Sequence, residues 1–159
     1  MSGSIYAGFW IRVIAYLIDK IILWTFSLLF FVLGVVALNT NTISHNFGEI
    51  FHTLGSAFFL AYYATTTFIT MFYFTYFHGT IGQTPGKKLL GIRVIQQSGA
   101  PMTLGVAFLR WVGYIVSGLV LYLGFIWVGL SSRKQGWHDI IAGTYVVKIR
   151  SYSRYMNNI

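Results

Sequence analysis

The stretch Gly8-Phe-Trp-Ile-Arg12-Val-Ile-Ala-Tyr-Leu-Ile-Asp19-Lys20, followed by the uncharged run Ile21–Leu38, decides what kind of protein this is. It is too long and too apolar for a core helix, and its length fits a bilayer crossing. Yet it opens with ionisable groups. A charge inside a membrane helix costs roughly 2.5–3.5 kcal/mol at the centre on insertion scales. The chain carries 11 Lys and Arg against 3 Asp and Glu in 159 residues, so a carboxylate is scarce here and Asp19 is one of the three. A residue that is both rare and costly pins the fold or performs a function.

Working outward, 56% of the residues are hydrophobic and only 9% charged. That composition fits a membrane domain better than a soluble one. We read one membrane domain over 1–159: helix one at about 10–38, helix two at about 54–78, a third apolar segment at about 103–131 and a tail over 132–159. The first apolar run is longer than the apolar part of a signal peptide and is read as a retained helix. Cysteine is absent, which excludes disulfides and thiol metal sites.

The formal charge of +8 is unevenly placed. Loop 39–53 has no Lys or Arg. Segment 78–110 carries Lys87, Lys88, Arg93 and Arg110, and the tail carries Arg133, Lys134, Lys148, Arg150 and Arg154. The positive-inside rule sets loop 39–53 outside and both basic segments, with the N-terminus, in the cytoplasm. The basic residues flank apolar segments, where anionic headgroups attract them, so membrane lipids and not nucleic acid are the expected partners.

The third segment, uncharged over Trp111–Leu130, is broken by Gly113, Ser117, Gly118, Gly124 and Gly129. By length it crosses once; by charge the tail must return. Gly91-Ile-Arg-Val-Ile95 and Gly143-Thr-Tyr-Val-Val-Lys-Ile149 are the β-like runs. An isolated strand is unstable, so the two are expected to pair on one side of the membrane. The expected fold is therefore an all-α membrane protein: two transmembrane helices, a third re-entrant or hairpin segment turning near Gly118–Gly124, and a small cytoplasmic β-ribbon.

Three motifs stand in order: Arg12 with Asp19; Gly82-Gln-Thr-Pro-Gly-Lys-Lys-Leu-Leu-Gly-Ile-Arg-Val94; and Arg133-Lys-Gln-Gly-Trp-His-Asp139-Ile-Ile-Ala-Gly-Thr-Tyr-Val-Val147. Together they resemble the RDD family of small bacterial membrane proteins over about Ile5 to Lys148. The resemblance assigns Arg12, Asp19 and Asp139 to the family's name-giving positions. It implies transport, some members being linked to exchange of sodium or related cations for protons, in the inner or plasma membrane.

The residues have their own reading. Arg12 and Asp19 share a helix face about 10.5 Å apart along the axis. Side chains lean toward the helix N-terminus, so Arg12 is expected to snorkel toward the interface. Asp19 then needs another partner, and Arg110 is the expected one. The pair is either a buried pin between segments or a carboxylate that binds a cation or shuttles a proton. Gly82–Lys88 lacks the residues of a phosphate loop, with Ile81 and Lys88 where Gly and Ser or Thr are required. It reads as a tight turn at Pro85-Gly86. Lys87, Lys88, Arg93, Trp137, Arg133 and Lys134 are expected to anchor the chain at the membrane interface. Asp139 is expected to cap the turn Ile140–Ala142 or pair with a nearby cation.

His45, Glu49 and His52 have metal-compatible spacing, but Gly48 and the Asn39–Thr42 run favour a solvated loop, so no metal and no cofactor are expected. No nucleophile or paired acid and base is visible, and an enzyme is not expected. Two functions stay open. One is a cation or proton exchange module using Asp19, Arg12, Arg110 and Asp139. The other is an accessory subunit of a larger complex. Few intramembrane polar groups per chain point to a homo-oligomer or larger membrane complex in either case.

Overall fold

A computed structural model describes residues 5–41 and 47–157, with side chains for 5–36 and 55–157. The elements in order are α1 (Phe9–Asn41), α2 (Phe47–Thr80), α3 (Pro85–Leu89), β1 (Ile92–Gln96), α4 (Leu104–Leu119), α5 (Leu123–Leu130), α6 (Trp137–Ile141), β2 (Thr144–Lys148) and α7 (Ile149–Met156). Two stretches, Phe9–Val36 and Gly55–Thr80, are long and apolar enough to cross a membrane. The chain divides into two compact units, residues 1–19 with 71–159 and residues 20–70.

Residues 20–70 contain a helical pair whose inner face is aromatic. Phe31 meets Tyr62 edge-on at 5.4 Å between ring centroids, and Phe58 at 5.7 Å. Ser27 and Tyr62 share a hydrogen bond of 2.6 Å. Three threonines of this unit fold back on their own helix: Thr25 donates to the Ile21 carbonyl, Thr66 to Tyr62 and Thr70 to Thr66. Such back-bonding satisfies a hydroxyl where no water is available.

The other unit is built on a small sheet. β1 and β2 pair antiparallel, with Ile92 opposite Lys148, Val94 opposite Val146 and Gln96 opposite Thr144. The expected β-ribbon is therefore present, and it has an unexpected third member. The Ala7 amide donates to the Val146 carbonyl and the Lys148 amide to Ile5, so residues 5–7 lie along β2. Ile92, Val94 and Val146 close over Ala7 and Ala15 as the apolar core.

The two strands bracket the third apolar segment, so that segment comes back to where it left. α4 and α5 meet at a 99° bend. The break falls at 120–122, between the glycines expected to turn, and Leu121 and Tyr122 hold left-handed φ values of 47° and 59°. Gly113 lets α6 close on α4: a Cβ there would stand 2.7 Å from the His138 Cα. The Pro85-Gly86 turn is instead the first turn of α3. Thr84 caps it by accepting from the Lys87 amide, and Pro85 needs no partner at the first helical position.

Candidate functional site

Asp19 leaves α1 fully buried. Its Oδ1 accepts from the Tyr73 hydroxyl at 2.9 Å and from the Gly86 amide at 2.8 Å. Its Oδ2 accepts from the Thr84 hydroxyl at 2.5 Å. The partners thus come from the end of α2 and the start of α3. Gly86 is required by this contact, since a Cβ would collide with the Ala15 carbonyl and press on the Asp19 carboxyl.

The expected Asp19–Arg110 pair does not form. Arg110, 1% exposed, sends Nη1 to Asp139 Oδ1 at 2.5 Å and to the Thr144 hydroxyl at 2.6 Å. It is committed because α6 lies against α4 at Gly113, which brings Asp139 beneath the guanidinium. Arg12 does not snorkel either. Its Nη1 binds Asp139 Oδ2 at 2.6 Å, Nε donates to the Ala7 carbonyl at 2.9 Å and Nη2 to the Lys134 carbonyl. A guanidinium with several fixed acceptors gains more from them than from an aqueous surface. Asp139 also accepts from the Gly136 amide at 3.0 Å, so it caps the start of α6 from its third residue and not the turn Ile140–Ala142. One carboxylate therefore holds two arginines and its own helix start.

Burial alone would raise the Asp139 pKa, but Arg110, His138 and Arg12 outweigh it and hold the carboxyl below the usual range. His138, 5% exposed, lies 3.6 Å from Asp139. Burial is the dominant influence on it and lowers its pKa to about 3, so it is neutral at physiological pH.

Lys87 is the largest departure from the sequence reading. It is 6% exposed and not a headgroup anchor. As the third residue of α3 its stem follows the helix inward, and Nζ lies 2.5 Å from Nε2 of the fully buried His78. Lys88, Arg93 and Arg133 are exposed, with Lys134 and Trp137 half-buried. His45, Glu49 and His52 lie outside the residues whose side chains are described.

A cavity of about 270 Å³ connects these groups. Arg12, Asp19, Lys87, Arg110 and His138 border it, along with aromatic rings that include Phe74, Tyr114 and Phe125. Sequence reasoning found Arg12, Asp19, Arg110 and Asp139 but missed Tyr73, His78, Thr84, Lys87 and His138 as their company. The Thr84-Pro85 pair was the available signal: a cap followed by Pro starts a helix, and that helix turns Lys87 inward.

Two stretches long and apolar enough to cross a membrane, together with a buried, charge-paired centre, fit a small membrane protein. The chain belongs to the RDD family, which matches residues 6–143. It is 36% identical over 149 residues to an uncharacterized protein, YxaI, of Bacillus subtilis, covering 89% of this chain and 96% of that one. It is 34% identical over 154 residues to an uncharacterized membrane protein, YteJ, of the same organism, covering 94% and 85%. A third relative from that organism, the uncharacterized protein YckC, is 37% identical over 73 residues, covering 41% and 46%. No solved structure matches the chain.

Proposed function

We propose that this protein is a non-enzymatic transport module that exchanges a cation or proton across the bacterial cell membrane, as a multi-pass protein with N-terminus and tail in the cytoplasm. The observation that carries this reading is the shared cavity: buried ionisable side chains from α1, α3, α4 and α6 border one space of about 270 Å³. Groups of this cost inside a membrane domain mark ion and proton paths. Asp19 suits a cation site because its three protein donors orient the carboxylate and leave about one of four lone-pair positions open. The Arg12–Asp139–Arg110 group, itself satisfied, frames the site. A homo-oligomer would extend the polar path beyond what one chain offers.

The protein donors already bound to Asp19 and Asp139 favour a second reading, an accessory subunit in which both carboxylates only pin the fold. The experiment is sodium-dependent proton flux in proteoliposomes, with wild type against Asp19→Asn. Flux in the wild type that the folded variant lacks supports exchange. No flux in either, with a stable partner that co-purifies, supports the accessory reading and removes the first.

A further inference from the structure

One cation of the cluster has no carboxylate. Arg12 and Arg110 are paired to Asp139, while Lys87 forms no ion pair among the described residues and meets a histidine instead. A buried ammonium without a counter-ion is strongly disfavoured, so the geometry must offer another way to hold it.

The 2.5 Å separation of Nζ and Nε2 limits what the pair can carry. An ammonium donates to a bare Nε2; a neutral amine accepts from a protonated one. With both groups protonated, hydrogens would face each other in a dry space. The pair therefore holds either no excess proton or one.

Charged groups act on the pair from the elements around it: Arg12 and Asp19 on α1, Arg110 on α4, and His138 and Asp139 on α6. Tyr73 on α2 binds Asp19, and Tyr16, Tyr114 and Tyr122 border the same cavity. Formally the two arginines balance the two carboxylates, so the proton of the Lys87–His78 pair is the uncompensated charge. Burial first, then the positive Arg110, lower the pKa of Lys87 well below its ordinary value, with Asp139 and Asp19 opposing in part. Lys87 and Asp19 border the same cavity.

We infer that Lys87 and His78 form a proton-binding site, which carries one exchangeable proton between Nζ and Nε2 and releases it to water through the cavity when a monovalent cation settles beside Asp19. The cation half of this statement rests on the exchange reading above; the proton half stands on the pair itself. A cation and the excess proton would each add a positive charge to a balanced cluster, so the two exclude each other.

The test is nitrogen NMR of full-length protein in lipid nanodiscs with ¹⁵Nζ-labelled lysine, with Lys87 assigned through Lys87→Arg and Lys88→Arg as control. The Lys87 signal is expected to pass from amine to ammonium within the pH range where the protein stays folded. His78→Gln, which keeps an acceptor but no ring, should move that midpoint, and sodium chloride in place of choline chloride should lower it. A Lys87 that is ammonium throughout, or a midpoint that ignores His78→Gln, overturns the proton site. In proteoliposomes, Lys87→Gln is expected to cut sodium-driven proton flux at least about tenfold, on the scale of losing a positioned proton-transfer group. Titration of Lys87 without wild-type flux upholds the proton site and removes the exchange reading. Wild-type flux with a permanently charged Lys87 does the reverse.

Discussion

Residues 20–70 and the unit of residues 1–19 with 71–159 treat polar groups in opposite ways. In the first, Thr25, Thr66 and Thr70 bond to their own helix, and the side-chain pair of Ser27 with Tyr62 joins two helices. In the second, polar side chains bond across the sequence: Arg12 reaches Asp139, 127 residues away, and Asp19 reaches Gly86, 67 away. An apolar helix pair satisfies itself locally and tolerates change. A charged centre is a single network whose members depend on one another.

The sharpest way to break that contrast is Asp139→Ala. It strands two buried guanidiniums, and removing one partner of a buried pair costs about 3–5 kcal/mol. The detergent melting temperature should fall more than for any single change in residues 20–70. Adding Arg110→Ala should lose less than the sum of the two single losses. Strict additivity would show that Asp139 and Arg110 do not act as a pair.

Acid should separate the regions next. His138 is neutral when folded, with a pKa of about 3 against 6.5 when free, so the folded state binds fewer protons than the unfolded one. Its contribution is complete above pH 6.5 and declines toward about pH 3, by at most about 1.4 kcal/mol per pH unit. Asp139, also lowered, adds loss with the same sign as pH falls through its folded value. Thermal melting from neutral pH downward should fall, and His138→Gln should flatten the first part of that fall.

Asp19→Asn should cost about 1–3 kcal/mol, since the amide keeps one oxygen acceptor but turns a donor toward Thr84 or Gly86. Ser27→Ala should cost least, about 0.6 kcal/mol, the usual worth of a hydrogen bond between membrane helices. A Ser27→Ala loss as large as that of Asp19→Asn would erase the distinction between the two regions.

What the sequence disclosed follows the same division. Long apolar runs, the β-branched segments and the returning third segment were legible because each is a local or pairwise pattern. The partners of Arg12 and Arg110 were not. The lean of a helical side chain assigned Arg12 to the interface and Asp19's want of a partner assigned Arg110 to it, but packing of α6 on α4 at Gly113 brings Asp139 to both arginines, and no local pattern encodes it. Lys87 was misread for a related reason. A lysine after an apolar helix ordinarily meets headgroups, and only the capped start at Thr84-Pro85 turns it inward. The bonding of residues 5–7 to β2 has no signature in so short a segment.

The bonding of Ala7 to β2 orders events in biosynthesis: its amide is made long before its acceptor, the Val146 carbonyl. During translation residues 5–7 wait for β2 before their strand position exists. α1 is made well before the sheet that fixes residues 5–7, and the sheet closes as a late clasp. A ribosome stalled before residue 144 would leave every helix up to α6 synthesised and the clasp open.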